Sequence, residues 1–297
     1  MTVTVGAIFR PQLPPERLGS AIRAAEACGL REVWLWEDCF LESGIATAAA
    51  ALAMSDDLVV GIGLLPTPLR NVALAAMEIA TLERLFPGRI RIALGHGVQP
   101  WMEQAGARAE SPMTLMREYI TALRALLSGE SVSVSGRYVQ LSDVQLGWAP
   151  STPPPLLIGA TGPRTLRLAG DLADGVVLDS VTSPDRAVAA LAEVDAGAAE
   201  GRRRADFQAV VYLRAFRGDA AEQLAIEAAP DDVGGVIGHG VVGDVAEVVG
   251  EVRRFAAAGV NAVILQPSAV ETDVEGYFAF AADVAADVAA QVAAEVR

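Results

Sequence analysis

The chain holds two histidines, His96 and His239, and both stand between glycines; His96 lies in the stretch 89–102, RIRIALGHGVQPWM. Glycines bare the backbone for close approach of a ligand, and an imidazole titrates near neutral pH. Gly95-His96-Gly97 reads as a ligand-facing strand end or as a tight turn with a solvated ring. Glu37-Asp38, directly after an apolar run, is a second candidate. Adjacent carboxylates can share a proton or divide the roles of acid and base, and they can equally form a solvated cap for the next helix. A third stretch, IGATGPRT at 158–165, runs from small residues into the helix-opening pair Gly162-Pro163. Free backbone N–H groups there, with a helix dipole behind them, suit a phosphate, and Thr161 adds a hydroxyl. An ordinary turn capped by Thr161 fits the same residues. GIGLLPTP at 61–68 is a glycine- and proline-rich strand end of the kind that carries a bulge or an unusual peptide bond. His96 and His239 are far apart in sequence, and no H-x-x-x-H or cysteine cluster exists, so no metal site is expected.

These groups act together only if a scaffold collects them. Apolar strands are predicted at 3–9, 31–36, 58–65, 89–95, 155–160, 175–180, 207–216 and 261–267, with helical patterns between them. The alternation defines an α/β chain, a (β/α)8 TIM barrel forming one domain over 1–297. The strands are apolar on both faces, as covered parallel strands are. No G-x-G-x-x-G follows the first strand, which argues against an open doubly wound sheet. Residues 131–141 alternate around Ser135-Gly136 and predict a small hairpin outside the barrel. Residues 218–242, loop-rich and acidic, read as an inserted lid-like region or as plain surface loop, and 274–296 as a tail helix with Val284, Val288 and Val292 four apart. A barrel places its ligands at the carboxyl ends of its strands. That end would gather Arg10, Gln12, Glu37, Asp38, His96, Thr161, Asp179, Arg217 and Gln266.

Composition narrows the chemistry. The formal net charge of −14 offers no basic face for nucleic acid or an anionic membrane. All 23 basic residues are arginine, which excludes a Schiff-base lysine and a P-loop. Cys28 and Cys39 do not make a disulfide framework, no export signal opens the chain, and no apolar run reaches the ~20 residues of a membrane span. The expected location is the cytoplasm.

The order and spacing of AAEACGLREVWLWED, GIGLLPTPLRNVALAAMEIATLERLFPGRIRIALGHG, SPMTLMREYITALRALLSGE, PPLLIGATGPRTLRLAGDLADGVVL and AAAGVNAVILQP resemble the bacterial luciferase-like superfamily. Within it the chain is similar to oxidoreductases that use the deazaflavin coenzyme F420 and are related to methylenetetrahydromethanopterin reductase. The resemblance covers nearly the whole chain. It implies a deazaflavin lying across the strand ends, with a cis peptide in a bulge at Gly63, Leu64 and Leu65 backing the ring. It places the coenzyme's phosphate on Gly159, Ala160, Thr161 and Gly162, brings Gly95 and Gly97 close to the ring, and adds Asp179 to the cofactor contacts. The implied reaction is hydride transfer between F420 and a small organic substrate (C=N, C=C, C=O or an alcohol). The family's Asp-His pair after the second strand aligns with Glu37-Asp38, where no histidine stands. The proton-transfer candidates are therefore His96, Glu37 and Asp38. Two alternatives remain at this point: FMN in place of F420, giving an O2-using monooxygenase, and a flavin-binding barrel without turnover. The family's dimers suggest a homodimer through the hairpin or the tail helix, which packing onto the barrel would equally explain.

Overall fold

The computed structural model describes residues 3–199, 201, 203–218, 220–227 and 238–295. In chain order the elements are β1 (Thr4–Phe9), α1 (Leu18–Ala27), β2 (Glu32–Leu35), α2 (Gly44–Ala53), β3 (Val59–Pro66), α3 (Val72–Leu85), β4 (Ile90–Gly95), α4 (Gln99–Gln104) and α5 (Pro112–Leu127). There follow β5 (Val132–Ser135), β6 (Gln140–Val144), β7 (Leu156–Gly159), α6 (Pro163–Leu172), β8 (Gly175–Leu178), α7 (Pro184–Gly197) and β9 (Gln208–Arg217). The last are α8 (Ala221–Glu227), β10 (Gly240–Gly243), α9 (Val245–Ala257), β11 (Ala262–Gln266) and α10 (Val274–Glu295).

The expected barrel is present. Parallel strands run β1-β2-β3-β4-β7-β8-β9-β11, and β11 pairs again with β1 to close the cylinder. β5 and β6 form the separate antiparallel hairpin predicted at 131–141, continued to Val144. Helix starts are set locally. The side chains of Ser43, Asn71 and Ser183 accept N–H groups of α2, α3 and α7, and Asp244 with Glu247 makes a full capping box on α9.

Three expectations change. The loop after the fourth strand contains a short helix, α4, opened by Pro100 at its second position. The described parts of 218–242 contain regular structure that composition did not suggest. They contain α8 and β10, and β10 extends the sheet along the carboxyl half of β9. The middle of the supposed insertion, 228–237, lies outside the described residues. The tail helix also has the length and composition of a membrane span, with a mean hydropathy of 1.3 over 274–294. Packing accounts for part of that apolarity, about a third of the span being buried. Tyr277, Phe278, Val284 and Val288 are buried against the barrel, so the valine repeat marks an inward face.

Strand alternation divides the core in two. Outward residues pack beneath the helices, while Ile8, Trp34, Ala93, Leu157, Val210 and Ile264 fill the barrel interior. Trp34 is the largest plug. A Cβ at Gly61 or Gly63 would overlap its ring, so the glycines of β3 are the space this tryptophan needs. Its Nε1 donates to Glu32 Oε1 at 2.7 Å, deep at the amino end. Continuing the same inward register past the end of β2 brings Trp36 and then Asp38 to the opposite end.

Candidate active site at the carboxyl ends of the strands

Glu37 and Asp38 turn to different partners. Glu37 is bound by the guanidinium of Arg70 through both oxygens, and its Oε2 also accepts the Gly44 N–H at 2.7 Å. Gly44 is the first residue of α2. The Glu37 side chain is 8% exposed and ties α2 to the turn before α3. Arg70 is fixed in turn by Glu78 at 2.9 Å. Asp38 is half-buried at the barrel mouth. Burial pushes its pKa up; the nearby Arg10 cation and the Gln12 amide hold back part of that rise. A cleft of about 370 Å³ opens beside these residues, with Phe40, Leu69 and Leu74 in its wall.

The mouth between β3, β4 and β7 is built differently. The Gly63–Leu64 peptide is cis, at the place the family resemblance indicated, and a second cis bond joins Cys39 to Phe40. The pairing of β3 with β4 shifts by one residue between Gly63 and Leu65. That bulge turns Leu64 toward the barrel interior and Leu65 into the outer core, so of the predicted trio only Leu64 offers a side chain to the mouth. The Leu64 side chain occupies the volume that a Cβ at Gly95 or Gly159 would take. Tyr212 secures the bulge by donating its hydroxyl to the Gly63 carbonyl at 3.0 Å.

The glycines around His96 serve the protein's own packing. Gly95 makes room for Leu64, and Gly97 adopts φ +69°, the left-handed region where glycine is favoured. His96 Nε2 lies 3.2 Å from Thr165 Oγ1, in the first turn of α6, and its Nδ1 is buried with no hydrogen-bond partner. Burial lowers the His96 pKa against the opposing influence of the Pro112 backbone. Beside it, the Ala160 N–H is spent on the Val177 carbonyl at 3.1 Å. Gly162 caps α6 and faces open space, with Thr161 exposed next to it. Asp179 Oδ1 accepts from Val181 N–H at 3.3 Å and from the Thr182 hydroxyl at 3.2 Å, holding the turn after β8. Among the described residues no cluster of three metal-ligating side chains occurs.

Sequence reasoning passed over Trp36, Tyr212 and Thr165 as site residues. Period-two alternation along β2 and β9 carried the signal for the first two, since 32, 34, 36, 38 and 210, 212, 214 share the inward face. Trp36 Nε1 and Gln266 Oε1 are buried near the mouth without partners, alongside His96 Nδ1. Orphaned donors and acceptors around an apolar, glycine-backed surface fit a flat heterocycle with a polar edge. The open turn at Thr161-Gly162 fits its phosphate.

Fold and site together define a (β/α)8 barrel whose strand carboxyl ends carry an apolar surface, an open turn at the start of α6 and a carboxyl group of raised proton affinity. The sequence pattern of the luciferase-like monooxygenase family matches residues 3–231, and the chain belongs to that family. The 5,10-methylenetetrahydromethanopterin reductase of Methanolobus tindarius is 30% identical over 202 residues, 68% of this chain and 61% of the relative. The F420-dependent hydroxymycolic acid dehydrogenase of Mycobacterium tuberculosis is 33% identical over 221 residues, 67% of this chain and 60% of the relative. The chain thus spans about three fifths of the length of these curated relatives. The solved coenzyme F420-dependent tetrahydromethanopterin reductase of Methanopyrus kandleri superimposes with a TM-score of 0.84 at 20% identity, covering 97% of this chain and 99% of that one.

Proposed function

We propose that the chain is an F420-dependent oxidoreductase that exchanges a hydride between the deazaflavin and a small organic substrate carrying a C=N, C=C, C=O or alcohol group. One observation carries the reading. An apolar surface, Leu64 over Gly95 and Gly159, shares the barrel mouth with Asp38, a carboxyl whose proton affinity burial raises. The F420-dependent and methylenetetrahydromethanopterin-reducing relatives support the choice of coenzyme. When bound, F420 supplies two-electron chemistry at a flat ring.

The chain's own residues do the rest. Leu64 and the glycines at 63, 95 and 159 back the ring and exclude water from one of its faces. Thr161 and the backbone at Gly162 hold the phosphate, and His96 steadies that turn through Thr165. Asp38 carries the proton that accompanies hydride transfer, at its side-chain carboxyl. Glu37 positions α2 and the Arg70 turn and stays out of the proton step. Protonated Asp38 serves reduction of the substrate, and its carboxylate serves oxidation of an alcohol.

The test is a binding titration of the full chain with oxidised F420 and, in parallel, with FMN. Tight binding of F420 alone supports the proposal and warrants a screen of imines, enones, ketones and alcohols. Tight binding of FMN alone replaces it with the oxygen-using reading. Binding without turnover across the screen leaves a ligand-binding barrel.

A further inference from the structure

Arg10 leaves β1 at the mouth, beside the end of β2 that leads to Asp38; Phe9 and Leu35 are register partners. Its guanidinium is held by three groups. Nε donates to Gln12 Oε1 at 3.1 Å, Nη1 donates to the Pro267 carbonyl at 2.9 Å, and the group lies 5.6 Å from the centre of the Trp36 ring. A fourth partner comes from another part of the chain. Glu227, the last residue of α8, faces Arg10 Nη1 at 3.5 Å, and the two side chains are 13% and 12% exposed. The other Glu227 oxygen accepts from the Ala269 N–H and from Gln223. α8 buries no residue of its own; Leu224 packs against Gly240 of β10, and Glu227 ties the helix to the barrel mouth.

We infer that Arg10 is a positioning residue shared by two carboxylates: it fastens α8 to the mouth through Glu227 and governs the charge on Asp38, so that the seating of α8 and the protonation of Asp38 are coupled. The inference rests on the reading of Asp38 as the proton carrier. Its physics is pairwise. A cation beside Asp38 favours the carboxylate, and a second carboxylate on the far side of that cation cancels part of the effect. Among the described residues, the groups whose charge or hydrogen bonds act with Asp38 include Arg10 and Gln12 from the segment after β1, Tyr212 from β9 and Cys39 from its own loop, with Glu37 next to it in sequence and Arg214 on the same inward face of β9. Glu37 is matched by Arg70, and burial keeps the Tyr212 hydroxyl and the Cys39 thiol protonated. Arg10 is the cation that lowers the Asp38 pKa, and Glu227 is the carboxylate that attenuates it.

The experiment is an NMR titration of the Asp38 carboxyl in the full chain labelled with carbon-13 at aspartate, without substrate, the signal being assigned through Asp38→Asn. Arg10→Met should move the midpoint up by about one pH unit. Glu227→Gln should move it down by roughly a few tenths of a unit, because Arg10 is then less compensated. Arg10→Lys should restore most of the wild-type value. The opposite signs are diagnostic. Both Arg10→Met and Glu227→Gln untie α8, so a purely structural role moves both midpoints the same way, and that result overturns the inference. So do unchanged midpoints. If Arg10→Met does not fold, Glu227→Gln and Arg10→Lys still decide the sign. Midpoints that shift as expected, with a pH–rate profile that does not follow them, uphold the coupling and overturn the assignment of Asp38 as proton carrier instead.

Discussion

The two sides of the barrel mouth use burial to opposite chemical ends. On the β1–β2 side, burial raises the pKa of Asp38. On the β4–β7 side, burial lowers that of His96. Each group is pushed toward its neutral form, since low dielectric penalises whichever form is charged. A neutral carboxyl can donate a proton, whereas a neutral imidazole can accept one or hold a hydrogen bond. The surroundings follow the same division. Asp38 sits among ions, near the Arg10–Glu227 pair and the Glu37–Arg70–Glu78 chain. His96 sits among neutral contacts, with Thr165 on its ring and glycines on either side. On the proposed function, one side moves a proton and the other holds a ring and its phosphate.

Kinetics should separate the two sides most sharply. Asp38→Asn is expected to lower turnover by about 10²–10⁴-fold, the usual loss of a general acid or base, with F420 affinity nearly unchanged. His96→Ala is expected to do the reverse. Losing one hydrogen bond to the first turn of α6, worth about 1 kcal/mol, should weaken F420 binding roughly fivefold while turnover at saturation holds. Single-turnover rates at saturating coenzyme, together with the binding isotherms, make the comparison. A His96→Ala enzyme that binds normally and turns over slowly would move the proton step to the other side.

The next effect lies in packing. A Cβ at Gly95 would overlap the Leu64 side chain, so Gly95→Ala should cost about 1–3 kcal/mol of stability and displace the platform. Shortening the clashing partner should relieve it. In urea titrations, Gly95→Ala should therefore be less costly in a Leu64→Ala background than in the wild type. Strictly additive losses would mean that Leu64 does not fill that space.

Much of this contrast was legible in the sequence, for identifiable reasons. Strand periodicity and helix stops located the barrel and most of its strand ends, including the Gly95-His96-Gly97 turn. The family resemblance indicated the cis bond at Gly63–Leu64. Alternation beyond β2 also separates the directions of Glu37 and Asp38. What alternation could not supply was a partner. Arg70 lies 33 residues from Glu37, Thr165 lies 69 from His96, and Glu227 lies 217 from Arg10. Such pairs exist only once the cylinder closes, and they decide whether a carboxylate is a structural tie or a proton carrier. The order in 220–227 and 240–243 was hidden for a related reason. β10 has four residues, two of them glycine, and is a strand because β9 offers it an edge.

The smallest expected effect tests the neutral side through stability alone. His96 has a lowered pKa in the folded chain, whereas an unfolded histidine titrates near ~6.5. As the pH falls below ~6.5 the unfolded state takes up a proton that the folded state refuses, so His96 withdraws stability on acidification. The withdrawal continues until the folded pKa is reached and is then constant; above ~6.5 it is absent. His96→Gln keeps a side chain able to bond Thr165 and removes the titration. The stability difference between wild type and His96→Gln should therefore be flat from pH 7 to 8 and turn against the wild type below pH 6.5, as read from urea midpoints at each pH. A difference that turns in favour of the wild type on acidification would mean that the folded ring gains a proton. The contrast with Asp38 would then have the wrong sign on the histidine side.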